Sequence, residues 1–179
     1  MNPLSLLLTV GLLSSAAACA ECDIQLSDAQ VNYGQTTRSE LLAQSGNSFS
    51  SGELRVGDAR ELEVMVSCDR PTPLTLQFIG PEKASDSYRF GASGRVTLVL
   101  HDVMIDDRRA EMVRGETRDA KMAFRAGQPL SFWSAGSPAS GRVLRASLTV
   151  TAWMPSAATR VTDSELWRLD GSIVVGGTE

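Results

Sequence analysis

Three cysteines and one histidine are the residues of this 179-residue chain best suited to redox exchange, metal binding or proton transfer. Cys19 and Cys22 stand three apart in "AAACAECDIQLSDAQVNYG", and Cys68 follows much later. A zinc site needs about four ligands. Besides this pair the chain offers only His101 and Cys68, so neither a metal nor any other cofactor is expected. The alternative is that processing separates the first two cysteines.

The opening residues favour processing. Leu4, Leu6, Leu7, Leu8, Val10, Leu12 and Leu13 form an apolar run that ends in the small residues before Ala18-Cys19-Ala20, as in a secretory signal. The segment 1–20 is short for a permanent span. Its "MNPLS" start carries no Lys or Arg, which fits a start codon further upstream. Cleavage after Ala20 removes Cys19 and leaves Cys22 and Cys68 as an even pair in an oxidising compartment. Acylation of Cys19 as a lipobox is the competing reading, although Ala16 occupies the place where such signals carry Leu. The expected product is one exported domain, 21–179, large enough for a single core.

Catalytic machinery is not legible. A hydroxyl or thiol nucleophile usually needs a histidine as proton shuttle, and His101 in "LVLHDVM" alternates with Leu98 and Leu100, which places it on an outer face. No G-x-S-x-G elbow occurs. Asp102, Asp106 and Asp107 match no calcium loop and read as turn residues. Trp133, Trp153, Trp167, Tyr33 and Tyr88 could line a sugar-binding surface, but a β-sandwich core ordinarily consumes such aromatics. No catalytic residue is assigned and a non-enzymatic role is expected. The net charge of −4, with signs interspersed, points away from nucleic acid as a partner.

The elements are strands. In "RELEVMVSC" Leu62, Val64, Val66 and Cys68 share one face; Leu74, Leu76 and Phe78 do so next, then Val96, Leu98 and Leu100, then Ala146, Leu148, Val150 and Ala152. Turn signals separate them at 69–73, Gly80-Pro81, 91–94, 135–141 and Met154-Pro155. This spacing predicts an all-β sandwich. Short helices are expected at Thr37–Gln44, with Ser39 as cap, and in "TDSELW". The charged stretch 106–121 is expected at a hairpin tip or strand edge. A bridge from Cys22 in the first strand to Cys68 at the end of the second closes a loop of about 46 residues, a constraint valued at roughly 4 kcal/mol in the chain-entropy model.

Together, "CDIQLSDAQVNYG", "LEVMVSCDRPTPLTLQFIG", "YRFGASGRVTLVLHDVMIDDRRAEM", "GQPLSFWSAG" and "GRVLRASLTVTAW" resemble the subunits of chaperone–usher fimbriae, the pilins, over most of Cys22 to Val175. The resemblance implies an immunoglobulin-like β-sandwich missing its last strand, with one disulfide at Cys22 and Cys68. It implies an apolar donor-strand groove edged by Ile24, Leu26 and Val31 in the first strand and by Leu169, Ile173 and Val175 in the last, "LWRLDGSIVV". The implied partners are a periplasmic chaperone, an outer-membrane usher, other fimbrial subunits and a host receptor. The implied location is the periplasm and then the cell-surface fimbrium. Two features depart from the family pattern. Cleavage after Ala20 leaves only Glu21 ahead of Cys22, so the subunit would accept a strand without giving one, as a terminal or accessory subunit does. The end "GSIVVGGTE" also lacks the family's penultimate aromatic. The rival expectation is a self-complete secreted sandwich that binds carbohydrate or protein.

Overall fold

The computed structural model describes residues 21–28, 30–160 and 166–177. The expected signal segment 1–20, Cys19 with it, and most of "TDSELW" lie outside these residues; Leu166 and Trp167, which are described, are not helical. The chain forms, in order, β1 (Cys22–Leu26), α1 (Arg38–Ala43), β2 (Glu53–Arg55), β3 (Arg60–Ile79), β4 (Glu82–Ala84), β5 (Ser87–Phe90), β6 (Gly94–Ile105) and β7 (Arg108–Arg109). There follow β8 (Glu111–Arg114), β9 (Thr117–Asp119), β10 (Lys121–Ala123), β11 (Leu130–Ser134), β12 (Ser137–Pro138), β13 (Ser140–Pro155) and β14 (Ser172–Gly177). It is an all-β fold with one disulfide.

All the strand pairings are antiparallel, and the 20-residue β3 organises them. Its first part lies in one limb of a curled sheet, ordered β1-β3-β13-β6-β5-β4; its second part lies in the other, ordered β14-β3-β11-β8-β9. The alternating residues read from sequence all turn inward. Val64, Val66, Leu74, Leu76, Leu98, Leu100, Leu144 and Leu148 are buried in one cluster enclosed by both limbs. Phe78 of one limb meets Tyr88 of the other edge-to-face at 4.6 Å, which joins the two limbs through the core.

The stretch 69–73 departs from the expected turn, because β3 runs through it. Thr72 and Pro73 pair with Gly141 and Ser140, while Ser67 already faces Val143, so residues 68–71 form a large irregularity opposite Arg142. Prolines cannot donate to a ladder and are tolerated at such irregularities. Here Pro71 and Pro73 mark the passage from one limb to the other rather than an end.

The short helix α1 is capped by Thr37 rather than Ser39. The Thr37 hydroxyl accepts from the Glu40 N–H at 3.3 Å, and the Glu40 carboxylate accepts from the Thr37 N–H at 2.6 Å. This reciprocal box needs Glu or Gln three residues after the cap, which Ser39 does not have. The Thr37 N–H bond, together with the Thr37 hydroxyl, which donates to the same carboxylate at 2.8 Å, holds the Glu40 carboxyl below its ordinary value. The charged stretch lies at the sheet margin as expected, with β9 the last strand of its limb and Ala110 and Met112 the buried exceptions.

Candidate functional site: an open edge between β1 and β14

One edge of β3 is taken along most of its length. β13 covers residues 60 to 73 and β11 continues at Thr75 and Leu76, with the Ala139 N–H donating to the Phe132 carbonyl at 2.9 Å where the two meet. The other edge carries two short strands. β1 pairs from Cys22 opposite Cys68 to Leu26 opposite Val64, and β14 from Ser172 opposite Ile79 to Gly177 opposite Leu74. Among the described residues, neither β1 nor β14 has a ladder partner on its far side.

The curl of the sheet brings these free edges together. Phe78, near the end of β3, packs on Tyr88, whose strand neighbour Val96 lies opposite Ala152, far along β13 from the disulfide. The second limb therefore folds back over the first, and β14 comes into contact with β1. β1 runs away from the disulfide while β14 runs toward the bend, so the two walls are antiparallel across the opening.

Five of the residues read from sequence line this opening as half-buried side chains packed against the core: Ile24, Val31, Leu169, Ile173 and Val175. Leu26 stands apart at the end of β1, 36 % exposed and outside the cluster. Val31 follows β1 in irregular chain rather than within it. Leu169 likewise precedes β14, because the strand starts only at Ser172. Just before that start, Gly171 lies against the Phe78 ring, where a Cβ would collide. Upstream of it the chain follows the turn after β5 instead, where the Gly91 N–H donates to the Arg168 carbonyl at 2.9 Å.

The opening has two unlike ends. At one end Cys22 and Cys68 are joined, with Cα atoms 4.1 Å apart, and the Asp69 N–H donates to the Glu21 carbonyl at 3.1 Å. At the other the paired strands end, and Tyr33 and Trp167, from the segments beyond them, both pack on Phe90 of β5 across the first limb, at 6.4 and 5.9 Å between ring centroids. Tyr33 also donates to the Val150 carbonyl at 3.4 Å with Arg60 over its ring. Burial raises the Tyr33 phenol above its ordinary value, and the Arg60 charge offsets part of that rise. No periodicity in the sequence connects these three aromatics; only their tertiary placement does.

The other candidates have structural partners. His101 Nδ1 lies 2.7 Å from Asp102 Oδ2, and its Nε2 lies 2.9 Å from Thr149 Oγ1 and 3.2 Å from Glu61 Oε1. Carboxylate, imidazole and hydroxyl thus stand in line, but on the outward face of three paired strands, where they act as a cross-strand tether. Asp106 and Asp107 form the two-residue turn from β6 to β7, both at positive φ, and the Asp106 carboxylate accepts from the Arg142 and Val143 N–H groups. The tryptophans are not consumed by the core. Arg118 stacks on Trp133 at 4.3 Å and Arg95 on Trp153 at 5.0 Å, so arginines cover these indoles. Among the described residues, no group of three or more His, Cys, Asp or Glu side chains could hold a metal ion.

The chain matches no family model, no curated protein and no solved structure.

Proposed function

We propose that this chain is a strand-accepting subunit of a chaperone–usher fimbria, non-enzymatic and exported. The observation that carries the reading is the pair of free antiparallel edges, β1 and β14, with Ile24, Val31, Leu169, Ile173 and Val175 half-buried between them. Apolar side chains left half in water cost about 25 cal/mol per Å² of surface that stays exposed. Unpaired strand edges add a row of unmet backbone donors and acceptors. An extended segment from another protein satisfies both at once: its backbone pairs with an edge and its alternate side chains cover the apolar row.

The limb order β1-β3-β13-β6 against β14-β3-β11-β8 supports an immunoglobulin-like sandwich whose last strand comes from outside. In this reading a periplasmic chaperone supplies the strand first, an usher admits the complex, and another subunit replaces the chaperone. The test is expression in the periplasm with and without a chaperone of this class. Strand acceptance gives an aggregated or degraded chain when it is alone and a stable one-to-one complex when it is not. A lone chain that folds cooperatively and stays monomeric would favour a self-complete binding module.

A further inference from the structure

Two hairpin turns, Asp106-Asp107 after β6 and Ala135-Gly136 after β11, meet at a cavity of about 370 Å³, at the small end of the range for ligand sites. It belongs to the side of β3 that β13 and β11 cover, where Ser140 faces Pro73 and Leu144 faces Ile105, and so lies apart from the β1/β14 opening. Ile105 and Ala139, both buried, form its floor. Ser134, Ser137, Ser140 and Arg108 line its walls. A Cβ at Gly141 would collide with Ile105 and with the Asp106 carboxylate, so the backbone of β13 locks the floor and the first turn in place.

Ala135 is the odd residue of this set. A two-residue hairpin turn with both central residues at positive φ favours Asn, Asp and Gly, yet Ala135 holds φ +50° beside Gly136 at +82°. An alanine side chain has no polar group to compensate for that conformation. What it offers is small size, at a position that lines the cavity. Strained positions of this kind gather at binding sites.

The charges around the cavity are unbalanced. The Asp106 carboxylate is held by the Arg142 and Val143 N–H groups, Asp107 pairs with Arg145 at 3.2 Å, and Glu111 is turned to Arg118. Arg108 has no ion-pair partner among the described residues.

We propose that this cavity binds a carboxylate-bearing sugar, the acidic unit of a glycan, with Arg108 as the residue that selects the charge. A bare anion would leave most of the space unfilled. A pyranose ring fills it: its C–H face covers the floor of Ile105 and Ala139, and its hydroxyls exchange hydrogen bonds with serines that each donate and accept. The Arg108 guanidinium takes the carboxylate in a two-pronged, charge-assisted bond that no neutral sugar offers. The site is independent of strand acceptance, since it stands on the covered side of β3.

The experiment uses the full chain with its disulfide formed, with a strand donor bound if it needs one to stay soluble. It is titrated with methyl β-glucuronide and with methyl β-glucoside, which differ only in the carboxylate, while backbone amide NMR shifts are followed. The glucuronide is expected to bind in the millimolar range with shifts centred on Ile105–Arg108 and Ser134–Ser140, and the glucoside about tenfold more weakly. Arg108→Gln, at an exposed position, should level the two sugars without moving the thermal unfolding midpoint. Ala135→Asn suits the turn but intrudes on the cavity, so it should raise that midpoint and weaken the glucuronide about tenfold. Equal binding of the two sugars by the wild type, shifts centred elsewhere, no shifts at millimolar sugar, or either variant binding the glucuronide as the wild type does would overturn the site. None of these results bears on the β1/β14 edge, so strand acceptance stands or falls separately.

Discussion

The two edges of β3 are built from the same kinds of residue and differ in what covers them. On one side β13 pairs with β3 over ten positions and passes its own far edge to β6, so Leu144, Leu148 and Val150 are buried and every strand between has two neighbours. On the other, β1 and β14 take five and six positions and are the last strands in line. Ile173 and Val175 are as apolar as Leu148 and Val150 yet remain half-buried. Hydrophobicity alone therefore does not make a core; Ile173 and Val175 lack the cover that Leu148 and Val150 have.

Removing the covalent tie on the open side has the largest expected effect. Replacing Cys22 and Cys68 together with Ser should cost about 4 kcal/mol in urea unfolding of the complemented protein, from the 46-residue loop they close. β1, held otherwise by five pairings, should be the first element to exchange its amide protons.

On the closed side, Leu148→Ala should cost about 3 kcal/mol through the cavity it leaves, by the same amount with or without an added strand. Ile173→Ala should behave differently. In the empty protein it removes a half-buried side chain and should cost about 1 kcal/mol, but in the complemented protein the cost should rise toward the Leu148 value. Urea unfolding of both variants in both states measures this difference, and equal costs for Ile173→Ala in the two states would dissolve the distinction between the edges.

The smallest effect is expected from pH. Burial raises the phenols of Tyr33, in the segment after β1, and of Tyr88, in the closed core, above their ordinary values. A raised value means that the folded state holds the proton more tightly. The associated stability is complete below the ordinary tyrosine value of about 10 and is lost as pH climbs through the raised ones. Unfolding midpoints should stay level from neutral pH up to that value and fall beyond it, with Tyr33→Phe removing the Tyr33 share.

The closed side was the legible part of the sequence. The period-two runs of Leu62 to Val66, Leu74 to Phe78, Val96 to Leu100 and Ala146 to Ala152 named its strands because each of those strands has one buried face. The cysteines and the apolar row of the open side were legible too, but their limits were not. The strand β3 continues past Pro71 because an irregularity opposite Arg142 absorbs it, and through Pro73, which faces Ser140; no local signal announces either. β14 starts only at Ser172, after a glycine that lies against Phe78, nearly a hundred residues earlier in the chain. The arginine-covered tryptophans and the aromatic bridge escaped for the same reason: Arg118 with Trp133, or Phe90 with Tyr33 and Trp167, meet only after the sheet has curled.

The central claim is that the β1/β14 edge is open and waits for a strand from outside. Hydrogen exchange of the backbone amides, measured on the chain with and without a saturating seven-residue Val/Thr peptide, tests it most directly. Slow exchange is expected across β13 in both states, with fast exchange in the empty protein at the alternate β14 amides that point away from β3 and at least tenfold slowing there when the peptide is added. Protection of β14 equal to that of β13 in the empty protein, unchanged by peptide, would contradict it.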